Sequence, residues 1–273
     1  MRFWENQGVR IAYETHGTTG PWVVLVHGGG LDRRMWQPQV PVLARRWRVL
    51  TYDQRGQGES DAPLTGYGPD DHLADLAGLI AAVGIERLHV IGLSLGSAIA
   101  QAYAVTHPER VLSLVLAGGS ATPTPPDPAF TAHLQRLEAL MAAGDRAGAL
   151  RANLEGPLIG QSKGRPNWPL IEQIILSQRL PQLHDPQRGR YPPPRLDPAQ
   201  QLAALTMPVL VIDGANDLPG ILARGAYLER TLPTVQRVII PDAGHLVNLD
   251  QPERFNAVVL AFLETGSTAA AKT

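Results

Sequence analysis

One serine of this chain lies between two glycines in a pattern that suits nucleophilic chemistry. In Gly92-Leu93-Ser94-Leu95-Gly96, an apolar run ends at the serine and a helix-like run of small residues follows directly. Glycine at both ends leaves room where a Cβ would crowd a sharp strand-to-helix turn. Such a turn would expose the Ser94 hydroxyl beside free N–H groups of a helix N-terminus, which can stabilise an anion. The five-residue pattern alone is a weak signal.

A serine hydroxyl needs a nearby base to become a nucleophile, and the base needs an acid to hold it in place. His245 follows a predicted strand and is the candidate base. Three acids close to predicted strand ends are candidates for the third role: Asp213, Asp217 and Asp242. Asp217 fits a Gly-x-x-Asp spacing. The order serine, aspartate, histidine is one of three chain orders in which this constellation occurs.

The other seven histidines have different contexts. His27 precedes three glycines, and hydrogen bonding that shapes its loop is a simpler role for it than proton transfer. The remaining six are interpreted as surface or packing residues: His16, His72, His89, His107, His133 and His184. Asp53 and Arg55 are interpreted as a local ion pair or cap.

The elements that would position these residues alternate between apolar strands and amphipathic helices. Strands are predicted at residues 9–14, 22–26, 48–52, 88–93, 111–116, 207–212 and 236–240. Helices are predicted at residues 36–45, 70–83, 95–106, 221–231 and 252–264. The first strand alternates polar and apolar residues, as an antiparallel strand near a sheet edge does. The pattern predicts an α/β fold with a mostly parallel sheet of about eight strands and helices on both faces.

The strand rhythm stops at Gly118 and resumes near residue 206. Proline recurs between these points, and helical patterns cover residues 130–143 and 170–179. Residues 121–205 are therefore predicted to form a helical cap, inserted between two parts of one core, residues 1–120 and 206–265. Residues 266–273 are small and polar and are expected to be a disordered tail.

Composition excludes several function classes. The 273 residues carry a formal net charge of −1, which favours neither nucleic acid nor anionic lipid as a partner. The absence of cysteine excludes disulfides and thiolate chemistry. No leader, membrane span or metal-binding spacing is recognised, and the glycines after His27 lack the Lys-Ser/Thr of a phosphate loop. We expect a cytoplasmic protein without cofactor or metal; the sequence does not indicate its oligomeric state.

Five motifs, in order along the chain, resemble those of the α/β-hydrolase fold over nearly its full length. They lie at residues 27–30, 53–60, 92–96, 214–217 and 244–255. Within that superfamily the chain resembles the serine esterase and lactonase branch, with enol-lactone hydrolases, carboxylesterases and cofactor-free haloperoxidases. Gln57 stands where the family often has histidine, a difference to which no mechanistic meaning is attached.

The resemblance implies specific roles. Ser94 would be the nucleophile, His245 the base and later the acid, and Asp217 the orienting acid. The backbone N–H groups of Leu95 and Gly29, with Gly30 as a second choice, would form the oxyanion hole. Four residues are weighed as lining a substrate pocket, although the aromatic ones are also typical of cores: Gly30, Trp36, Trp168 and Tyr191.

The expected function is hydrolysis of a small carboxylic ester or lactone through an acyl-enzyme on Ser94. Serine at this position argues against the dehalogenases and epoxide hydrolases of similar fold, which carry aspartate there. Two alternatives stay open: cleavage of a carbon–carbon bond in a diketone by the same three residues, and a ligand receptor with slow turnover. A haloperoxidase-like activity would be a side reaction of the same acyl-enzyme. The cap is expected to set substrate choice.

Overall fold

A single eight-stranded sheet forms the centre of the computed structural model, which describes residues 1–119, 122, 124–187, 190, 202 and 205–270. The strands are β1 (Arg2–Asn6), β2 (Val9–His16), β3 (Trp22–Val26), β4 (Arg48–Tyr52), β5 (Leu88–Leu93), β6 (Val111–Ala117), β7 (Val209–Gly214) and β8 (Val235–Ile240). Their order across the sheet is β1-β2-β4-β3-β5-β6-β7-β8. The first two pairings are antiparallel and the other five are parallel, which confirms the predicted fold class.

The central strands are apolar because both faces of the sheet are covered. In β3, Val23 and Leu25 belong to the core on one face, while Val24 and Val26 belong to the core on the other. Successive side chains of a strand point to opposite faces, so a fully covered strand must be apolar throughout. All six residues of β5 are buried for the same reason. The apolar runs of β3 and β5 made these two strands predictable to the residue.

Nine α-helices are present in the described ranges. They are α1 (Val40–Leu43), α2 (Pro69–Val83), α3 (Leu95–Thr106), α4 (Pro128–Ala142), α5 (Arg146–Leu154), α6 (Trp168–Ser177), α7 (Pro219–Thr231), α8 (Val247–Asp250) and α9 (Pro252–Ala270). The helix predicted at residues 36–45 is instead a 3-10 turn at Arg33–Trp36 followed by the single turn of α1. Pro38 separates them, because proline lacks the N–H group of an interior helix position.

Near each end of the chain the structure has an element that the sequence pattern did not predict. Strand β1 was missed because none of its residues is buried, so it carries no hydrophobic pattern. It is specified by the turn instead: Gln7 and Gly8 both have positive φ, as a two-residue hairpin requires. At the other end, α9 continues to Ala270, so the expected tail from residue 266 is helical for five residues. Residues 271–273 lie outside the described residues.

Helices α4, α5 and α6 lie between β6 and β7 in the chain, where the cap was predicted. Helices α4 and α5 contribute to a small apolar cluster of their own, which includes Leu137, Met141, Leu150 and Leu180. Helix α5 was missed because its buried positions are mostly alanine and leucine in an otherwise polar run. The three consecutive prolines at 192–194 lie outside the described residues. In the described ranges, no helix is long and apolar enough to cross a membrane.

Candidate active site

Ser94 occupies a sharp backbone turn between β5 and α3. Its φ of 56° and ψ of −117° lie in a region that a serine rarely adopts. A Cβ on Gly96 would lie 2.0 Å from the carbonyl oxygen of Val26, and one on Gly92 would lie 2.3 Å from that of Gly96. Both glycines are therefore required for the close approach of backbones, as the sequence pattern predicted.

Hydrogen bonds to β6 hold this turn in place. The Ser94 N–H group donates to the carbonyl oxygen of Ala117 at 2.8 Å. The buried Ser97 hydroxyl donates to the same oxygen at 2.9 Å and accepts from the Ala117 N–H group at 3.0 Å. The strained Ser94 conformation is thus fixed from a neighbouring strand. Ser97 is a positioning residue that the sequence analysis did not single out.

His245 and Asp217 meet at the carboxyl ends of β7 and β8. The two side chains are in contact, with 2.8 Å between His245 Nδ1 and Asp217 Oδ2. Asp217 Oδ1 also accepts a hydrogen bond from the Leu218 N–H group at 2.7 Å, which fixes the carboxylate. The carboxylate requires the tautomer in which Nδ1 carries the proton and Nε2 is free to accept one. His245 Nε2 is buried and has no hydrogen-bond partner.

Neither of the other two candidate acids is hydrogen-bonded to His245. Asp213 pairs with Arg237, whose Nε lies 2.8 Å from Asp213 Oδ2. Burial raises the pKa of Asp213 to about 6 despite this pairing. Asp242 has a positive φ of 55°, and its carbonyl oxygen accepts a hydrogen bond from Gln251 at 3.1 Å. Of the three candidate acids, only Asp217 is hydrogen-bonded to His245.

The loop after β3 lies against the start of α3. A Cβ on Gly29 would lie 3.4 Å from Leu95 Cδ2, which places the two candidate oxyanion-hole residues side by side. Neither the Gly29 nor the Leu95 N–H group donates a hydrogen bond to another described residue. Both groups are therefore available to a ligand oxygen.

His27 shapes that loop, as expected. Its Nδ1 lies 2.8 Å from the Gly28 carbonyl oxygen, and its Nε2 accepts the Gln54 N–H group at 2.9 Å. The fully buried ring is kept neutral, because desolvation lowers the pKa of His27. Both nitrogens are therefore used in holding the β3 and β4 loops together.

A cavity of about 470 Å³ joins these groups. Ser94, His245, Gly29, Gly30 and Leu95 all contribute to its wall. The opposite wall comes from the cap segment and is mainly apolar, with Phe130, Leu134, Leu137, Leu158, Ile159, Leu180 and Leu183. The nucleophile candidate and the unpartnered histidine nitrogen therefore face one mostly apolar space, as ligand sites commonly do.

The aromatic pocket candidates are not part of this wall. Trp168 begins α6, packs against the apolar core and does not line this cavity, so its role in a substrate pocket stays a prediction. Trp36 is fully buried beside Phe255, with 6.3 Å between the ring centroids. Tyr191 lies outside the described residues. The sequence could not distinguish these roles, because apolar bulk suits a core and a pocket equally well.

Polar side chains of the cavity were also missed. His133 was assigned to the surface or to packing, but it lines the cavity, with its Nε2 3.4 Å from Asn153 Oδ1. Asp127 and Arg224 line it too. No sequence signal marks the four polar residues Asp127, His133, Asn153 and Arg224 as neighbours. They meet at the cavity only because distant segments of the chain pack together.

The predicted ion pair between Asp53 and Arg55 is corrected. Asp53 pairs with Arg33 and accepts the Glu59 N–H group at 2.9 Å. Arg55 instead forms two hydrogen bonds to Asp75 on α2, at 2.6 and 2.7 Å. Asp53 therefore joins the loop after β4 to Arg33, and Arg55 joins the same loop to α2. Among the described residues, no group of three potential metal ligands occurs.

Comparison with known proteins agrees with this architecture. The family model of the α/β hydrolase fold matches residues 21–164, more than half of the chain. The chain is 26% identical to 3-oxoadipate enol-lactonase 1 of Acinetobacter baylyi, over 95% of each protein. It is 29% identical to a pimeloyl-acyl-carrier-protein methyl ester esterase of Aeromonas hydrophila, over 89% of this chain and 96% of that protein.

A solved structure extends the likeness to three dimensions. The thermophilic esterase from Thermogutta terrifontis superimposes with a TM-score of 0.82 at 30% sequence identity. The match covers 97% of each chain. The aligned region therefore includes both the sheet and the helices between β6 and β7.

Proposed function

Because this chain belongs to the α/β hydrolase fold family, we propose that it is a serine hydrolase that cleaves a small carboxylic ester or lactone through an acyl-enzyme on Ser94. One observation carries the proposal most: His245 is held by Asp217 and presents a buried, unpartnered Nε2 to the cavity that contains Ser94. Similarity to an enol-lactonase and to esterases supports the reaction class.

The proposed reaction begins with proton transfer from the Ser94 hydroxyl to His245 Nε2. Ser94 Oγ attacks the carbonyl carbon as the proton leaves, and Asp217 stabilises the resulting imidazolium. The tetrahedral intermediate then collapses: the bond to the leaving oxygen breaks, and His245 returns its proton to that oxygen. Water, deprotonated by His245, then attacks the carbonyl carbon of the acyl-enzyme. The bond between that carbon and Ser94 Oγ breaks, His245 returns the proton to Ser94 Oγ, and the acid is released. Ser94 Oγ is not hydrogen-bonded to His245 Nε2 in the structure, and catalytic hydrogen bonds often tighten only in the complex with substrate.

The intermediate's negative oxygen would be stabilised by the N–H groups of Gly29 and Leu95. Leu95 is the first residue of α3, so the positive end of the helix dipole points at the same place. Their freedom from other acceptors supports this role. The N–H group of Gly30 remains an alternative donor, because Gly30 also lines the cavity.

Division of labour between core and cap is also part of the proposal. Residues 1–120 and 206–265 would form the catalytic core, and residues 121–205 the cap that selects the substrate. The apolar cavity wall contributed by cap residues such as Phe130 and Leu137 supports this division.

Kinetics on an activated ester test the proposal. We expect Ser94→Ala to lower kcat/KM for 4-nitrophenyl butyrate by about 10⁴- to 10⁶-fold, because the nucleophile is removed while binding is retained. Ser177→Ala, at an exposed serine of α6, is the matched control and should behave as wild type. Undiminished hydrolysis by Ser94→Ala of unchanged melting temperature would disprove the mechanism. A panel of esters, lactones and diketones then separates the bond types.

A further inference from the structure

Arg224 brings a positive charge to the mainly apolar wall of the cavity. It lies on α7 and is half-buried. Its Nε is buried without a hydrogen-bond partner, and no described residue forms an ion pair with the guanidinium. Burying a cation without a compensating anion is costly, so an unpaired arginine at a ligand site calls for an explanation.

The neighbouring acid does not supply that compensation by contact. Asp127 is the charged group that most influences Arg224, and it raises the pKa that burial lowers. Its two carboxylate oxygens are already used: Oδ1 accepts the Ala129 N–H group at 2.9 Å and Oδ2 accepts the Gly220 N–H group at 3.1 Å. Asp127 therefore joins the starts of α4 and α7, and the Arg224 guanidinium keeps its donors.

Arg224 lies on the same side of the cavity as the imidazole. A Cβ on Gly119 would lie 3.8 Å from Arg224 Cδ, and one on Gly118 would lie 3.1 Å from His245 Cε1. Gly118, which is next to His245, and Gly119, which is next to Arg224, are consecutive residues after β6. The arginine and the candidate base are therefore close neighbours along this wall. A ligand reaching both groups needs only a short chain between its reacting carbonyl and its charged end.

We propose that Arg224 binds a carboxylate of the substrate, so that the preferred substrates are short esters or lactones carrying a second, ionised carboxyl group. This inference rests on the proposed function of the same site. A guanidinium presents paired donors that match the two oxygens of a carboxylate. The rest of the wall is mainly apolar, which suits a short hydrocarbon chain between the two ends. Arg224 is therefore assigned to substrate specificity.

A matched pair of substrates tests this assignment. One is 4-nitrophenyl hemiglutarate, which has a free carboxylate, and the other is its neutral methyl ester. We expect wild type to prefer the anionic substrate by roughly 10- to 100-fold in kcat/KM, the range of a charge-assisted hydrogen-bonded pair. The ratio should fall to near one in Arg224→Gln. Arg224→Lys should keep part of it, because the charge is kept and the paired geometry is lost.

The controls separate this inference from the proposed function. Arg230→Gln, at an exposed arginine on the same helix, should keep the wild-type ratio. Ser94→Ala should abolish hydrolysis of both substrates. If wild type hydrolyses both through Ser94 without preference, or if Arg224→Gln lowers both rates equally, carboxylate recognition is disproved and the serine hydrolase stands.

Direct binding keeps the inference testable without turnover. Calorimetry should show that glutarate binds to the wild-type protein. Its affinity for Arg224→Gln should be at least about 10-fold lower. Equal affinities, or no binding to either protein, would overturn the assignment even if the hydrolytic mechanism failed for another reason. Melting temperatures of both proteins establish that the variant is folded.

Discussion

Two regions build the same cavity by different means. One is the edge of the sheet at which β3 and β5 end, called the sheet edge below, and the other is the proposed cap. At the sheet edge, backbone contacts set the geometry: Gly96 lies against the Val26 carbonyl, and Ser94 is bonded to Ala117. In the proposed cap, α4 and α5 pack through a small apolar cluster that includes Leu137 and Leu150, and residues of both helices line the cavity. If the proposed function is correct, the comparison predicts that main-chain contacts fix the catalytic geometry and that side chains of the proposed cap set substrate choice.

The largest contrast is expected between the orienting acid and a cap side chain. Asp217→Asn should lower kcat/KM by about 10⁴-fold on every substrate, because an amide no longer holds the required His245 tautomer. Leu137→Ala should change relative rates among substrates by less, about 10-fold, because it only reshapes the wall. Steady-state kinetics on several esters measure both.

A second carboxylate near the same strand provides the control. Asp213→Asn removes the partner of Arg237 but keeps the partner of His245. We therefore expect a lower melting temperature without the large loss in kcat/KM that is expected for Asp217→Asn. If Asp213→Asn and Asp217→Asn impaired catalysis equally, the assignment of Asp217 would be wrong.

Backbone packing gives the next contrast. Gly96→Ala should lower the free energy of unfolding by about 3 kcal/mol, because its Cβ would meet a backbone oxygen that cannot move freely. A Cβ on Gly144, in the proposed cap, would meet no atom within 4 Å, so only the positive φ of this residue disfavours alanine. Gly144→Ala should therefore lower the free energy of unfolding by about 1 kcal/mol. Urea unfolding of both variants measures the difference. Equal costs would contradict the view that the sheet edge is the more constrained region.

The smallest contrast concerns pH. Burial lowers the pKa of His89, in β5, to about 4, whereas the cap residue His133 is half-buried and its pKa is lowered as well. The fold favours the neutral form of His89, so the unfolded state takes up a proton at a higher pH than the folded state does. The contribution of this histidine to the free energy of unfolding is therefore complete above pH 6.5 and is lost as the pH falls toward 4. This amounts to about 3 kcal/mol at the acidic end.

His89→Gln should therefore flatten the loss of stability between pH 6.5 and 4.5, while His133→Gln should flatten it less. Burial lowers the pKa of His72 to about 4 as well, so part of the slope persists in either variant. Unfolding free energies across this range, compared with wild type, provide the check. An unchanged slope in His89→Gln would show that the pKa of His89 is the same in the folded and unfolded states.

Sequence reasoning succeeded where local patterns carry the information. The strands β3 and β5, the helix α3 and the glycines around Ser94 are specified by hydrophobic runs and by steric demand at a turn. The rule that parallel strands end at one edge of a sheet placed His245 near three candidate acids. The resemblance to the α/β-hydrolase fold and the Gly-x-x-Asp spacing favoured Asp217, whose Oδ2 lies 2.8 Å from His245 Nδ1. The catalytic roles of these residues remain a proposal.

What could not be predicted depends on how distant segments pack. Arg224 and His133 lie on ordinary amphipathic helices, and nothing in their neighbourhoods marks them as cavity residues. The packing of Trp168 against the core could not be distinguished from a pocket role, because an aromatic side chain suits both. The edge strand β1 was missed because a strand without buried residues leaves no apolar pattern.

Covalent labelling with a fluorophosphonate tests most directly whether Ser94 and His245 act together. Intact-mass measurement of wild type should show one adduct, and peptide mapping should locate it at Ser94. Labelling of folded His245→Gln should be slowed by several orders of magnitude, because no base remains to activate the hydroxyl. An adduct on another residue, or undiminished labelling of His245→Gln, would contradict the account.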